Sequence, residues 1–219
     1  MDSAIIRVEN LRKKYGSQLA LSVPSLSLKP GIHWIIGGNG SGKTTFFKTL
    51  AGLLPFEGEI LFEGNLNLRK QPVACRRLIN YGEAEPLYPP FLTGSDLIRL
   101  FTDSKKADQK QAGQLLELLG VEAFQHQNIG TYSSGMLKKL SLVLAFIGPA
   151  RIILLDEPLI TLDVATVEIV YNLIHAARER GVSFLISSHQ AFEDGKLTFD
   201  SRLLVQHQTI REEARSLSE

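Results

Sequence analysis

The chain has 219 residues, 44% hydrophobic and 21% charged, with 24 Lys and Arg against 23 Asp and Glu for a formal net charge of +1. That length buries a core without staples, and the composition favours neither a disordered chain nor a strongly basic surface, so no nucleic-acid partner is expected. The single cysteine, Cys75, closes no internal disulfide and fits a reducing compartment. The opening MDSAIIRVEN carries Asp2 and Glu9 where a signal peptide needs a basic start. The longest strongly apolar run, Leu140 to Ile147, falls well short of the roughly 18 residues that cross a bilayer. A cytoplasmic location is therefore expected, and any work at a membrane needs other chains to span it.

In chain order, short strands are expected at Ala4 to Glu9, at Leu19 to Leu28 broken by Pro24, and at Ile32 to Ile36. The run IHWII meets the glycine-rich GGNGSGKTT, after which Lys43 to Leu50 reads as a helix stopped near Gly52. Strands are expected again at Glu59 to Phe62 and Leu78 to Tyr81, and PLYPPFLTG is too rich in proline for regular structure. From Asp96 to Ile147 apolar residues recur at helical spacing, at Leu97, Leu100 and Phe101, at Leu115, Leu116, Leu118 and Leu119, and at Leu137, Leu140 and Leu144. An all-helical insert follows from that pattern. Beyond Pro149, RIILLDEP and VSFLISSH read as buried strands separated by an amphipathic helix from Val164 to Arg180. SRLLVQHQTI reads as a terminal strand or hairpin, and REEARSLSE as a polar end. This alternation marks an α/β fold with a mostly parallel sheet flanked by helices.

Residues Gly37 to Thr44, GGNGSGKT, match G-x-x-x-x-G-K-[ST], the loop whose backbone N–H groups curl around phosphate oxygens. Lys43 would reach the β and γ phosphates, Thr44 offers a hydroxyl to Mg²⁺, and the helix N-terminus adds its positive end. The other reading of the same residues is a glycine-rich turn. Asp156 and Glu157 close RIILLDEP at the carboxyl edge of a predicted strand, where open α/β sheets bind ligands. Asp156 suits a Mg²⁺ ligand, and Glu157 suits the carboxylate that orients or deprotonates an attacking water. Solvated capping carboxylates are the plainer alternative. His189, which ends VSFLISSH, taken alone describes a surface or core histidine as well as a site residue.

Taken together, GGNGSGKTT, YSSGM at Tyr132 to Met136, LLDEP, TLD at Thr161 to Asp163 and SSH at Ser187 to His189 resemble, in order and spacing, the nucleotide-binding domain of the ATP-binding-cassette (ABC) family. The resemblance covers essentially the whole chain. It implies a P-loop NTPase core with an N-terminal antiparallel β subdomain, residues 1–84 and 150–219, and a helical subdomain over residues 85–149. It implies ATP held by Gly37, Gly38, Asn39, Gly40, Ser41, Gly42, Lys43, Thr44 and Thr45, adenine stacked on Tyr15, and Mg²⁺ at Thr44 and Asp156. Glu157 matches the general base and His189 the histidine that holds the γ-phosphate and attacking water. Ser133 and Gly135 match a signature directed at the γ-phosphate of a partner subunit, and Asp163 a loop along the dimer interface. Two such chains, as a homodimer or a heterodimer, sandwich two ATP molecules and drive separate integral-membrane permease subunits on the inner face of the cell membrane.

Two departures stand out. Ser134 and Met136 replace residues of the commoner Leu-Ser-Gly-Gly-Gln, while Ser133 and Gly135 remain. The family's glutamine that joins the core to the helical insert falls at Ala84, between Glu83 and Glu85; alanine ligates no metal, so either one of the two glutamates takes over as a Mg²⁺ ligand or the contact is simply lost. Lys138 and Lys139 read as a solvated helix face. The pattern as a whole is expected for the ATPase subunit of a transporter, of the exporter branch, with a soluble cassette of an iron-sulfur type assembly complex and a poorly hydrolysing regulatory module as the other readings.

Overall fold

The computed structural model describes residues 4–189, 192–193 and 195–213. Strands β1 (Ile6–Tyr15) and β2 (Gln18–Leu28) form an antiparallel hairpin through a tight turn in which Gly16 has φ 58°. β2 runs unbroken through Pro24, contrary to the sequence expectation. The strand lies at the edge of its sheet, and the ladder pairs Glu9 with Ser25 and Leu11 with Val23, so Pro24 falls opposite Asn10, whose φ is 50°. A proline without an N–H is tolerated at an edge and at a local irregularity. β3 (Ile32–Ile36) then leads into α1 (Lys43–Leu50), as the residue pattern dictates.

β4 (Glu57–Phe62) and the short β5 (Leu66–Asn67) complete a four-stranded antiparallel sheet of order β2-β1-β4-β5. A helix, α2 (Pro72–Leu78), occupies the stretch before β6 (Ile79–Gly82), so Leu78 ends a helix rather than starting a strand. Pro72 opens α2 at a position where its missing N–H costs nothing. Only Cys75 in this helix is fully buried and Val73 is exposed, so no apolar stripe announces it.

The predicted helical insert forms as α3 (Gly94–Lys105), α4 (Gln109–Leu118) and α5 (Ser134–Phe146). Thr93 and Asp96 make a reciprocal capping box that starts α3 after the proline-rich stretch. In that stretch Leu87 and Phe91 are 90% and 76% exposed. β7 (Ile152–Asp156), α6 (Val164–Glu179), β8 (Ser183–Ser187) and the β9 (Ser201–Gln206) to β10 (Thr209–Glu212) hairpin follow. The hairpin turns through His207 and Gln208, both at positive φ. The polar end beyond residue 213 lies outside the described residues.

The second sheet has the order β10-β9-β3-β8-β7-β6, parallel throughout except for β10. Every residue of β7 and β8 is buried, which explains their uninterrupted apolar runs. Alternate side chains feed two cores: Ile152, Leu154 and Leu185 join β1, β2 and α1, whereas Ile153, Leu155, Phe184 and Ile186 join α3 to α6. The carboxyl ends of β3, β7 and β8 are thereby held side by side.

Candidate active site

The loop from Gly37 to Gly42 joins the carboxyl end of β3 to α1. Gly40 and Gly42 have φ of 72° and 113°, a region that a side chain resists, and a Cβ on Gly42 would sit 3.2 Å from the Ala20 carbonyl oxygen. Lys43 is 6% exposed, and its Nζ donates to the carbonyls of Gly37 at 2.7 Å and Gly38 at 3.2 Å. Burial lowers its pKa, an effect opposed by the nearby Glu157 and Asp156.

Asp156 ends β7 and is almost fully buried. Its Oδ2 accepts from Thr44 Oγ1 at 2.6 Å, and its Oδ1 accepts from Ser187 Oγ at 2.5 Å. The Ser187 hydroxyl also accepts from the Glu157 N–H at 3.0 Å, so one side chain at the end of β8 orders both acidic residues. Glu157 has φ 47°, unusual for a residue with a Cβ, and that bond helps hold it there. The His189 N–H donates to Glu157 Oε2 at 3.1 Å, and His189 Nε2 lies 3.2 Å from Oε1 without hydrogen-bond geometry.

These groups surround one cavity of about 790 Å³, lined by Tyr15, Asn39, Gly40, Ser41, Gly42, Lys43, Thr44, Thr45, Asp156, Glu157 and His189. Gly37 and Gly38 do not line it; their carbonyls instead accept from Lys43 Nζ. Tyr15 is half exposed on one wall, with Lys13 Nζ 4.8 Å from its ring centre. Glu83, Ala84 and Glu85 form part of another wall, and Glu83 pairs with Lys48 at 3.4 Å.

Ser133, Gly135 and Asp163 lie outside this cavity. Ser133 caps α5 by accepting from the Met136 N–H, and a Cβ on Gly135 would stand 3.1 Å from the Thr161 carbonyl oxygen. Asp163 caps α6; the Thr166 N–H, then the Thr166 hydroxyl and Lys139, hold its pKa at about 2. Lys139 pairs with Asp163 at 3.3 Å.

The reading of Lys138 as part of a solvated face is corrected: it is 2% exposed, and burial pushes its pKa down to about 8 against the pull of the surrounding carboxylates. The signal was present in the spacing, since Lys138 shares a helical stripe with the buried Ser141, Leu142 and Ala145. Sequence reasoning also passed over Ser187 as an organiser of the site, and Tyr81, whose hydroxyl stands 3.5 Å from Asp156 Oδ2.

A phosphate loop between a buried parallel strand and a helix, facing carboxylates at the ends of neighbouring strands, defines a P-loop nucleoside-triphosphate-binding protein. The chain belongs to the ABC transporter family, whose model matches residues 21–160. It is 30% identical over 221 residues to the bacitracin transport ATP-binding protein BcrA of Bacillus licheniformis, covering 99% of this chain and 70% of that one. It is 31% identical over 212 residues to the spermidine/putrescine import ATP-binding protein PotA of Spiroplasma citri, covering 94% of this chain and 59% of that one. A solved ATP-binding subunit of an ABC transporter shares the fold with a TM-score of 0.83 at 22% identity, covering 96% of this chain and 90% of that one. The protein is an ATP-binding, ATP-hydrolysing subunit of an ABC transporter, which displaces the assembly-complex reading. No helix among the described residues is long and apolar enough to cross a membrane.

Proposed function

We propose that the chain pairs with a second nucleotide-binding subunit around two ATP molecules and drives integral-membrane permease subunits of an exporter from the cytoplasmic face. The observation that carries this reading is the single cavity that unites the phosphate loop, Asp156, Glu157 and His189. In it, Gly37 to Thr45 cradle the phosphates, Lys43 neutralises the β and γ oxygens, and Tyr15 stacks on the base. Glu157 accepts a proton from the water that attacks the γ-phosphorus while the bond to the β-γ bridging oxygen breaks, giving ADP and phosphate. His189 orients that water and the γ-phosphate. Ser133, Gly135 and Asp163, outside the cavity, serve the ATP of the opposite subunit.

Thr44 Oγ1 and Asp156 Oδ2 are hard oxygen donors 2.6 Å apart at the cavity. That sparse donor set fits Mg²⁺, which takes one or two protein oxygens and completes its shell with phosphate and water. When bound, the ion supplies charge neutralisation at the phosphates.

We assign residues 85–149 to a helical subdomain that, with the exposed Leu87 and Phe91, meets the permease. The Met136 signature supports export; the likeness to PotA, an import ATP-binding protein, supports import as the second reading. Steady-state hydrolysis tests the site: Glu157→Gln is expected to retain ATP, lose at least about 100-fold in turnover and form a stable dimer with ATP, and Lys43→Ala to weaken both binding and turnover. Equal turnover in the wild type and Glu157→Gln removes the general-base assignment. ATP-dependent flux in oriented vesicles decides between export and import.

A further inference from the structure

The most deeply buried cation of the described residues is Lys138, in the second turn of α5. Its Nζ donates to the carbonyl oxygens of Glu83 and Ala84, each at 2.9 Å, and of Asp156 at 3.3 Å. An ammonium has three N–H donors, and these three acceptors satisfy all of them. β6 and β7 pair up to Gly82 and Leu155, so Glu83 and Asp156 are the first residues beyond that ladder. The cation therefore sits where the two strands part, and it ties three separate segments together.

Volume alone does not call for this arrangement. A buried charge is costly unless paired, and here the compensation comes from the carboxylates of Asp156, Glu157, Glu85 and Glu83 around it. Two of the three carbonyls belong to the cavity wall at Glu83 and Ala84, and the third to the residue that holds Thr44. The helix that carries Lys138 begins at the Ser133 cap. Ala84 has no side chain able to reach across from the loop to these groups.

We propose that Lys138 is a positioning residue for ATP hydrolysis: from α5 its ammonium fixes the 83–84 loop and the end of β7, so that any movement of the Ser133 helix is transmitted to Asp156 and Glu157. The inference rests on the reading of the cavity as the hydrolytic site. Its test uses the whole chain with Lys138→Met, which keeps the length and removes the charge, and Lys138→Arg, which restores it. The readouts are kcat, KM, equilibrium binding of a fluorescent ATP analogue and the thermal unfolding midpoint.

Lys138→Met is expected to lower kcat by at least about tenfold while the Kd of the analogue changes by less than about threefold, and Lys138→Arg to recover kcat to within about threefold of the wild type. A wild-type kcat in Lys138→Met overturns the inference, as does a fall in the unfolding midpoint with no change in kcat. Should Lys138→Met lose its cooperative unfolding transition, Lys138→Gln is read by the same criteria. An inactive wild type would overturn the hydrolytic reading and this inference with it, whereas an active wild type matched by Lys138→Met overturns the inference alone.

Discussion

Glu157 occupies a backbone region that residues with a Cβ rarely adopt, and Ser187 is what makes that tolerable. The Ser187 hydroxyl, fully buried, donates to the Asp156 carboxylate and accepts from the Glu157 N–H, so one oxygen fixes a carboxylate on one residue and the backbone of the next. Ser187→Ala leaves both partners without it at little change of volume. The expected cost is about 1–3 kcal/mol of stability, read by urea unfolding, together with about a tenfold loss of kcat. A wild-type kcat in this variant would show that Asp156 and Glu157 are aimed by other contacts. None of this was visible in SSH as letters, because the two hydrogen bonds join residues 30 and 31 positions apart in the chain.

At the scale of elements, α5 is anchored at both ends. Ser133 caps its start, while Asn80 on β6 donates from Nδ2 to the carbonyls of Ala145 and Ile147, each at 2.8 Å, at its finish. Asn80→Ala orphans two buried acceptors and is expected to cost about 2–4 kcal/mol in urea unfolding, with a lower unfolding midpoint. β3 carries a second dependence on its neighbours. His33 is buried between Lys29 O and Ser201 Oγ, each 2.8 Å from a ring nitrogen. Burial lowers its pKa below 6.5, against the smaller upward pull of the Lys29 bond and Asp200. The folded state thus favours neutral His33, and the unfolded chain binds the proton more readily. Stability from this group is complete above about pH 6.5 and falls as pH drops below it. Urea unfolding from pH 8 to pH 5 should show that fall in the wild type and a shallower one in His33→Gln; identical slopes would remove His33 as the cause.

For the whole molecule, the two cores leave an apolar surface uncovered on the side of the helical insert. Phe91 and Leu100 are 76% and 57% exposed, and Phe101, next to Leu100 in α3, lines a groove of about 470 Å³ together with Leu53 and Val73. Large apolar side chains left exposed on the helical insert fit the permease contact proposed above. Phe91→Ser with Leu100→Ser is expected to keep the unfolding midpoint of the isolated chain but to reduce copurification with a membrane partner at least about fivefold. Undiminished copurification would place the permease elsewhere.

The sequence by itself determined the parts whose physics is local. The glycine loop had to join a buried strand to a helix, since Gly40 and Gly42 take backbone angles that other residues resist. The apolar runs ending in Asp156 and Ser187 had to be central strands, since every residue in them is buried. The tertiary structure alone decided what depends on neighbours distant in the chain. It showed β2 continuous through Pro24, α2 formed without an apolar stripe, and Asp156 shared between Thr44 and Ser187. It also turned Lys138 from one of two surface lysines into a buried cation, because its acceptors lie on a loop and a strand end that only folding brings to α5.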